Sequence, residues 1–250
     1  MSPDSTFRIF TWELKKDESY FRQKGAIQMR TKDGSLKLFP LLDMSDYAEN
    51  PVDSVRSNLN WIGAIYYNII MNEYKGKKYY TLFGFDDNNF MSTRKWLEVL
   101  TFDDDGKPVF GGKFFDYKDD VLKYPQPAYR FLMEFKKDAG TRLNYDPQTK
   151  LILFDHLISE SNEPQKKFTL VPDGDFEAFK WANGKWVHID TAFNDKIQQG
   201  DEPRPKPLFD ESGNFNEDLL MEQSEKNREK KPEPKKKTPP NTLDEIKEIY

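Results

Sequence analysis

Two tryptophans, a histidine and two carboxylates lie within seven residues of one short turn. In FEAFKWANGKWVHID, Asn183 and Gly184 sit between alternating segments. An Asn-Gly pair there is the strongest short-range hairpin signal, because both central residues of a type I′ turn need positive φ. A two-residue turn fixes which residues lie opposite: Ala182 faces Lys185, Trp181 faces Trp186, Phe179 faces His188 and Glu177 faces Asp190. One ribbon face then carries Glu177, Phe179, Trp181, Trp186, His188 and Asp190, and the other Ala178, Lys180, Lys185, Val187 and Ile189. Rings that bury apolar faces beside carboxylates that accept hydroxyl hydrogen bonds make a sugar-stacking or acid-base surface. The simpler account is a cross-strand tryptophan pair covering the core, with His188 bonded to a nearby backbone or carboxylate group.

A second oxygen-rich cluster, Asp86, Asp87, Asn88 and Asn89, ends the aromatic stretch YYTLFGFDDNN. Such a cluster can hold a cation or a sugar, and the same residue types also let a chain turn around. A calcium loop of the EF type needs alternating oxygen ligands, a glycine at its sixth position and a carboxylate at its twelfth. Asp86 to Asn89 lacks that glycine, and Asp103, Asp104, Asp105, Gly106 has its glycine too early, so both read as turns. The two histidines, His156 and His188, would form a metal site only if their strands converged on Asp155 or Asp190, which the spacing does not require, and no metal is expected. With no cysteine and no Gly-x-Ser-x-Gly elbow, nucleophilic catalysis has no foothold, and no cofactor motif stands out.

These residues need strands to hold them, and the turns supply the register. KDGS, DDGK, PDGD and NGK each place Asp-Gly or Asn-Gly between alternating segments, and YDPQTK adds a four-residue loop with Pro147 at a position whose φ it presets. The spacing therefore predicts an antiparallel meander of hairpins, forming a sandwich or a curved, barrel-like sheet. YRFLMEF shows the period of a strand, with Tyr129, Phe131, Met133 and Phe135 on one face and Arg130, Leu132 and Glu134 on the other. One or two short helices are expected, the best in NPVDSVRSNL, where Asn50 can cap and Pro51 takes the first helical position.

The 250 residues divide by composition into a body, 1–195, and a tail, 196–250. Almost all the aromatic residues precede residue 196, whereas seven of the 16 prolines follow it, in runs such as DEPRPKP and KKPEPKKKTPP. Such a segment cannot bury enough apolar surface to offset ordering its backbone, at roughly 1 to 2 kcal/mol per residue, so it reads as a flexible tether with short helix-like motifs. A formal net charge of −5 gives no field to draw the chain onto nucleic acid, and GKKYY and KKFTL are isolated basic-aromatic pairs, not a continuous groove. No run approaches the roughly 20 apolar residues of a membrane-spanning helix, and Met1 to Phe10 does not read as a secretory signal.

The segments WIGAIYYNIIMNEYKGKKYYTLFGFDDNN, LTFDDDGKPVFGG, LNYDPQTKLILFDHL and FKWANGKWVHID together resemble a group of uncharacterised exported proteins of Bacteroidetes-type bacteria, across roughly Phe7 to Phe193. The resemblance implies a periplasmic or otherwise extracytoplasmic home and carries no catalytic residues. The chain is expected to be a non-enzymatic, β-rich binding or scaffold protein of the cell envelope with a protein or glycan partner. Its rivals are a carboxylate-based glycan hydrolase, using acids such as Asp86, Asp87, Glu177 or Asp190, and an accessory subunit that docks through its tail.

Overall fold

The structure is a computed structural model that describes residues 1–17, 20–118 and 120–192; the sequence-derived tail, 196–250, lies outside the described residues. The architecture is mainly β, in three sheets. The first joins β1 (Phe7–Lys15), β2 (Phe21–Met29) and β3 (Lys37–Leu41) in that order. The second runs β4 (Arg56–Ser57), β8 (Pro108–Phe110), β7 (Ser92–Phe102), β6 (Lys77–Asp86) and β5 (Ile65–Tyr74), with β10 (Phe131–Lys136) also paired to β7. The third orders β11 (Leu143–Asp146), β12 (Leu151–Ser159), β13 (Leu170–Ala182), β14 (Lys185–Ile189) and β9 (Phe115–Asp116).

The second sheet is buried on both faces, and this decides how its sequence reads. Phe83, Leu97 and Val99 pack with Ile152, Phe154, Phe179 and Trp186 of the third sheet. The alternate residues Tyr80, Leu82, Trp96 and Leu100 pack with Phe7, Ile27 and Leu41 of the first sheet. Strands covered on two sides lose the polar half of their alternation, which is why TLFGF and WLEVL read as nearly continuous apolar runs. YRFLMEF is split as its period predicts: Phe131, Met133 and Phe135 enter one core and Leu132 the other. On the far side of the first sheet, Phe10, Trp12, Leu14 and Leu38 are 42–50% exposed.

Most of the expected turns close hairpins. Gly34 and Gly106 adopt positive φ in the loops that follow β2 and β7, and the YDPQTK loop joins β11 to β12. PDGD is a correction. It lies inside β13, where the ladder with β12 shifts register between Asp155 and Leu157, and Gly174 takes a φ of 99°. The extra backbone freedom there makes a bulge, not a reversal. NPVDSVRSNL is a second correction: Asn50 accepts a hydrogen bond from the Val52 N–H at 3.2 Å, but the chain turns and enters β4. Val52 is buried in the core while Val55 and Leu59 are exposed, so the shared apolar face a helix needs does not exist. The helical content of the described residues is two short 3₁₀ turns, Ser45–Tyr47 and Lys167–Thr169. Between the named strands the pairing is antiparallel except for β14 and β9, where Trp186 and Val187 run parallel to Phe115 and Asp116. Among the described residues no helix is long and apolar enough to cross a membrane.

Candidate functional site

The Asn183-Gly184 hairpin has the register its turn dictates: Trp181 pairs with Trp186, Phe179 with His188 and Ala178 with Ile189, with φ of 52° and 80° at the two turn residues. Its aromatic face points inward. Trp186 is fully buried and its indole N–H donates to Thr81 Oγ1 at 2.9 Å. Trp181 packs edge-on against Trp186 at 5.2 Å and lies tilted against Tyr79 at 5.6 Å. A ring that must donate its N–H when buried has found its acceptor here, so the pair is core.

Behind the tryptophans the same face holds a chain of charges. Buried Glu177 meets His188 Nε2 through Oε2, accepts from Lys123 Nζ on Oε1 at 3.2 Å, and ion-pairs with the same ammonium at 2.9 Å. Lys123 also reaches Asp120 at 3.1 Å, and His188 Nδ1 lies 3.1 Å from Asp190, whose side chain is exposed. Burial acts to raise the Asp120 carboxyl, but the Leu122 N–H and the Lys123 ammonium outweigh it and hold the group below the ordinary carboxylate range. The His188 ring lies against Phe154 and Phe179. The cavity beside Glu177 is about 20 Å³, room for one water. His156 belongs to a different pair, with Asp173 at 2.8 Å, and no group of three or more metal-binding side chains occurs among the described residues.

Asp86 and Asp87 lie elsewhere, at the turn from β6 to β7, and the structure does not join them to the hairpin. The turn is real: Asp86 Oδ1 accepts the Asn88 N–H at 2.9 Å, Asn88 has a φ of 54°, and Asn89 Oδ1 accepts the N–H groups of Met91 and Ser92. Asp87 is held by Lys137 Nζ at 2.7 Å. Asp86, however, is also buried and lines a cavity of about 250 Å³ together with Arg94, Trp96, Tyr124, Glu49 and Asn50. Burial, with Glu13 and Asp43 adding like charge, lifts the Asp86 carboxyl to about 6 against the partly opposing Asn88 N–H and Arg94. Gln23 Nε2 bridges Asp86 Oδ1 and Glu13 Oε2, each at 2.9 Å, and burial raises Glu13 as well.

Strand register builds this site. Arg94 lies opposite Asp86 on β6 and opposite Glu134 on β10, so one guanidinium stands between two carboxylates. It takes Glu134, through Nε at 2.9 Å. Tyr124 and Ser92 also hydrogen-bond to Glu134. Two residue pairs further along, Gly84 sits opposite Trp96, and a Cβ there would approach Ala64 Cβ to 2.9 Å, so glycine is what lets the layers close. Trp96 is buried, and its indole N–H has no acceptor among the described residues.

Arg94, Glu134, Tyr124, Gln23 and Glu13 were not nominated by sequence reasoning, although one signal was present. Arg94-x-Trp96-x-Glu98 on β7, run antiparallel, is charge-complementary to Arg130-x-Leu132-x-Glu134, which leads into β10. That match pairs Arg94 with Glu134 and Glu98 with Arg130, as observed. No protein-family model, curated protein or solved structure matches the chain.

Proposed function

We propose that the chain is a non-enzymatic binding protein of the bacterial cell envelope, and that it holds a small polar ligand in the cavity beside Asp86 and Arg94. One observation carries the reading: opposite charges face each other across β6 and β7 on a cavity wall and form no ion pair with one another. Charged groups placed together and left apart favour a ligand or ordered water between them. Against catalysis by the hairpin acids, Glu177 is engaged by both His188 and Lys123, with space for only a water beside it. The envelope location rests on the sequence resemblance alone.

A thermal-shift screen of small polar metabolites on the full chain tests the binding role. At least one compound should raise the melting temperature, and Glu49→Trp, which fills the cavity mouth at an exposed residue, should abolish the rise. No stabilising compound, or one whose effect survives Glu49→Trp, overturns the reading. A carboxylate hydrolase has one observation in its favour, the raised pair Glu13 and Asp86 sharing Gln23. Release of nitrophenol from aryl glycosides, lost in Asp86→Asn, would replace the binding reading with it.

A further inference from the structure

We infer that the cavity at the end of β6 and β7 takes a small zwitterion of the free α-amino acid class, its carboxylate on the two Nη groups of Arg94 and its ammonium on Asp86. This deepens the binding reading above and rests on it.

The guanidinium is the first reason. Two arginines on this side of the second sheet, Arg130 and Arg94, are used very differently. Arg130 is fully buried with all three nitrogens engaged: Nε meets Glu98, Nη1 donates to the carbonyls of Pro51 and Ser54 at 2.9 and 2.8 Å, and Nη2 reaches Phe110 O. Arg94 spends only Nε, on Glu134, and its two Nη groups have no acceptor among the described residues. Glu134 fixes the plane and direction of the fork while leaving the outer pair of donors on a cavity wall. That pair matches a planar carboxylate, two N–H groups to two oxygens.

The surrounding charge is the second reason. An anion alone would meet Asp86 and Glu49 on the same wall, with Glu134 directly behind the arginine. Glu13 and Asp43 add to the negative field at Asp86. An incoming carboxylate is therefore accepted only with a positive group of its own, and Asp86 is placed to receive it. Its Oδ1 is occupied by Gln23 and the Asn88 N–H, and Oδ2 is unused. Asp86 and Arg94 are opposite residues of adjacent strands and line the same cavity, so a ligand there meets a carboxylate and a guanidinium together. At about 250 Å³ the cavity suits a molecule of amino acid size and is smaller than the roughly 300 to 1,000 Å³ of drug-sized sites.

Calorimetric titration of the full chain near pH 7.5 tests the assignment, using the twenty free amino acids, and acetate, methylammonium, inorganic phosphate and glucose as controls. At least one amino acid should bind, with acetate and methylammonium each about 10- to 100-fold weaker, the loss expected when one charge-assisted contact is removed. Arg94→Gln and Asp86→Asn should each weaken that amino acid by a similar factor, with circular dichroism reporting an unchanged fold. Glucose or phosphate binding in place of amino acids overturns the zwitterion while the cavity stands as a ligand site. Amino acid binding unchanged in both variants places the site elsewhere and overturns the inference. Silence from every probe at millimolar concentration overturns it together with the binding reading.

Discussion

The charge cluster around Glu177 and the one around Arg94 are built from the same kinds of residue on neighbouring sheets, yet one is closed and the other open. Glu177 is met by a histidine and a lysine, the lysine is shared with Asp120, and the histidine continues to Asp190. Arg94 stands between two carboxylates and bonds one of them. Burying ions is costly, and a protein recovers that cost by saturating each one. Saturation therefore marks a structural cluster, while donors and acceptors left over on a cavity wall mark a place for something else.

The largest expected effect comes from breaking a saturated site. Arg130→Met leaves Glu98 buried with Tyr66 as its remaining hydrogen-bond donor, and should cost about 3 to 5 kcal/mol. Arg94→Met removes a partly exposed arginine with one bond, and should cost about 1 kcal/mol or less. Urea unfolding of both variants checks the contrast. Equal losses would mean that Arg94 is as structural as Arg130, and the distinction between saturated and open charges would fail.

Trp186→Ala sharpens the same comparison on the hairpin. A fully buried indole with its N–H on Thr81 should cost about 3 to 5 kcal/mol when truncated, mostly through the cavity left behind. A binding platform would lose little stability. Here the sequence was informative on one point and silent on another. The Asn-Gly turn dictated the opposite pairs from Ala182–Lys185 back to Ala178–Ile189, where the ladder ends short of Glu177 and Asp190, because turn geometry is local. It did not say which ribbon face meets the core, because that depends on the sheet packed against it. A separate, local miss is the turn of Lys75 and Gly76 between β5 and β6, with φ of 50° and 72°, where lysine takes the position that Asn or Asp would signal. Arg94 was hidden for the same reason as the ribbon's inward face: its partners come from β6 and from β10, some forty residues on, and only the assembled register brings them together.

Asp86→Asn should change stability in the opposite direction. The folded carboxyl titrates at about 6, above its ordinary 3.8, so between these values the folded state keeps a proton that the unfolded chain has released. Stability from this group is therefore full below about pH 4, falls as pH rises, and is lost above about pH 6. That penalty is at most about 3 kcal/mol. Asparagine cannot ionise and keeps an oxygen for Gln23 and the Asn88 N–H, so the variant should gain about 1 to 3 kcal/mol at pH 7.5 and nothing at pH 4. Unfolding at both pH values tests it. A loss at pH 7.5 would show that ionised Asp86 contributes to the fold, and its carboxylate would move to the structural side of the comparison.

The smallest expected effect answers whether the Asp-Asp-Asn-Asn turn holds a cation. Several of its oxygens are already engaged: Asn89 Oδ1 caps two N–H groups, Asp86 Oδ1 serves another, and Asp87 Oδ1 and the Asp87 carbonyl both accept from Lys137 Nζ, at 2.7 and 2.8 Å. The second acidic turn is occupied in the same way, with Asp103 Oδ1 accepting the Lys107 N–H at 2.7 Å. A calcium ion would have to displace an ammonium and several backbone donors, and only a ligand with net preference for the folded state raises its stability. Millimolar calcium should therefore move the melting temperature by less than about 1 °C. A rise of several degrees that disappears in Asp87→Ala would mean that Lys137 yields its place, and the turn at Asp87 would join Arg94 among the open sites.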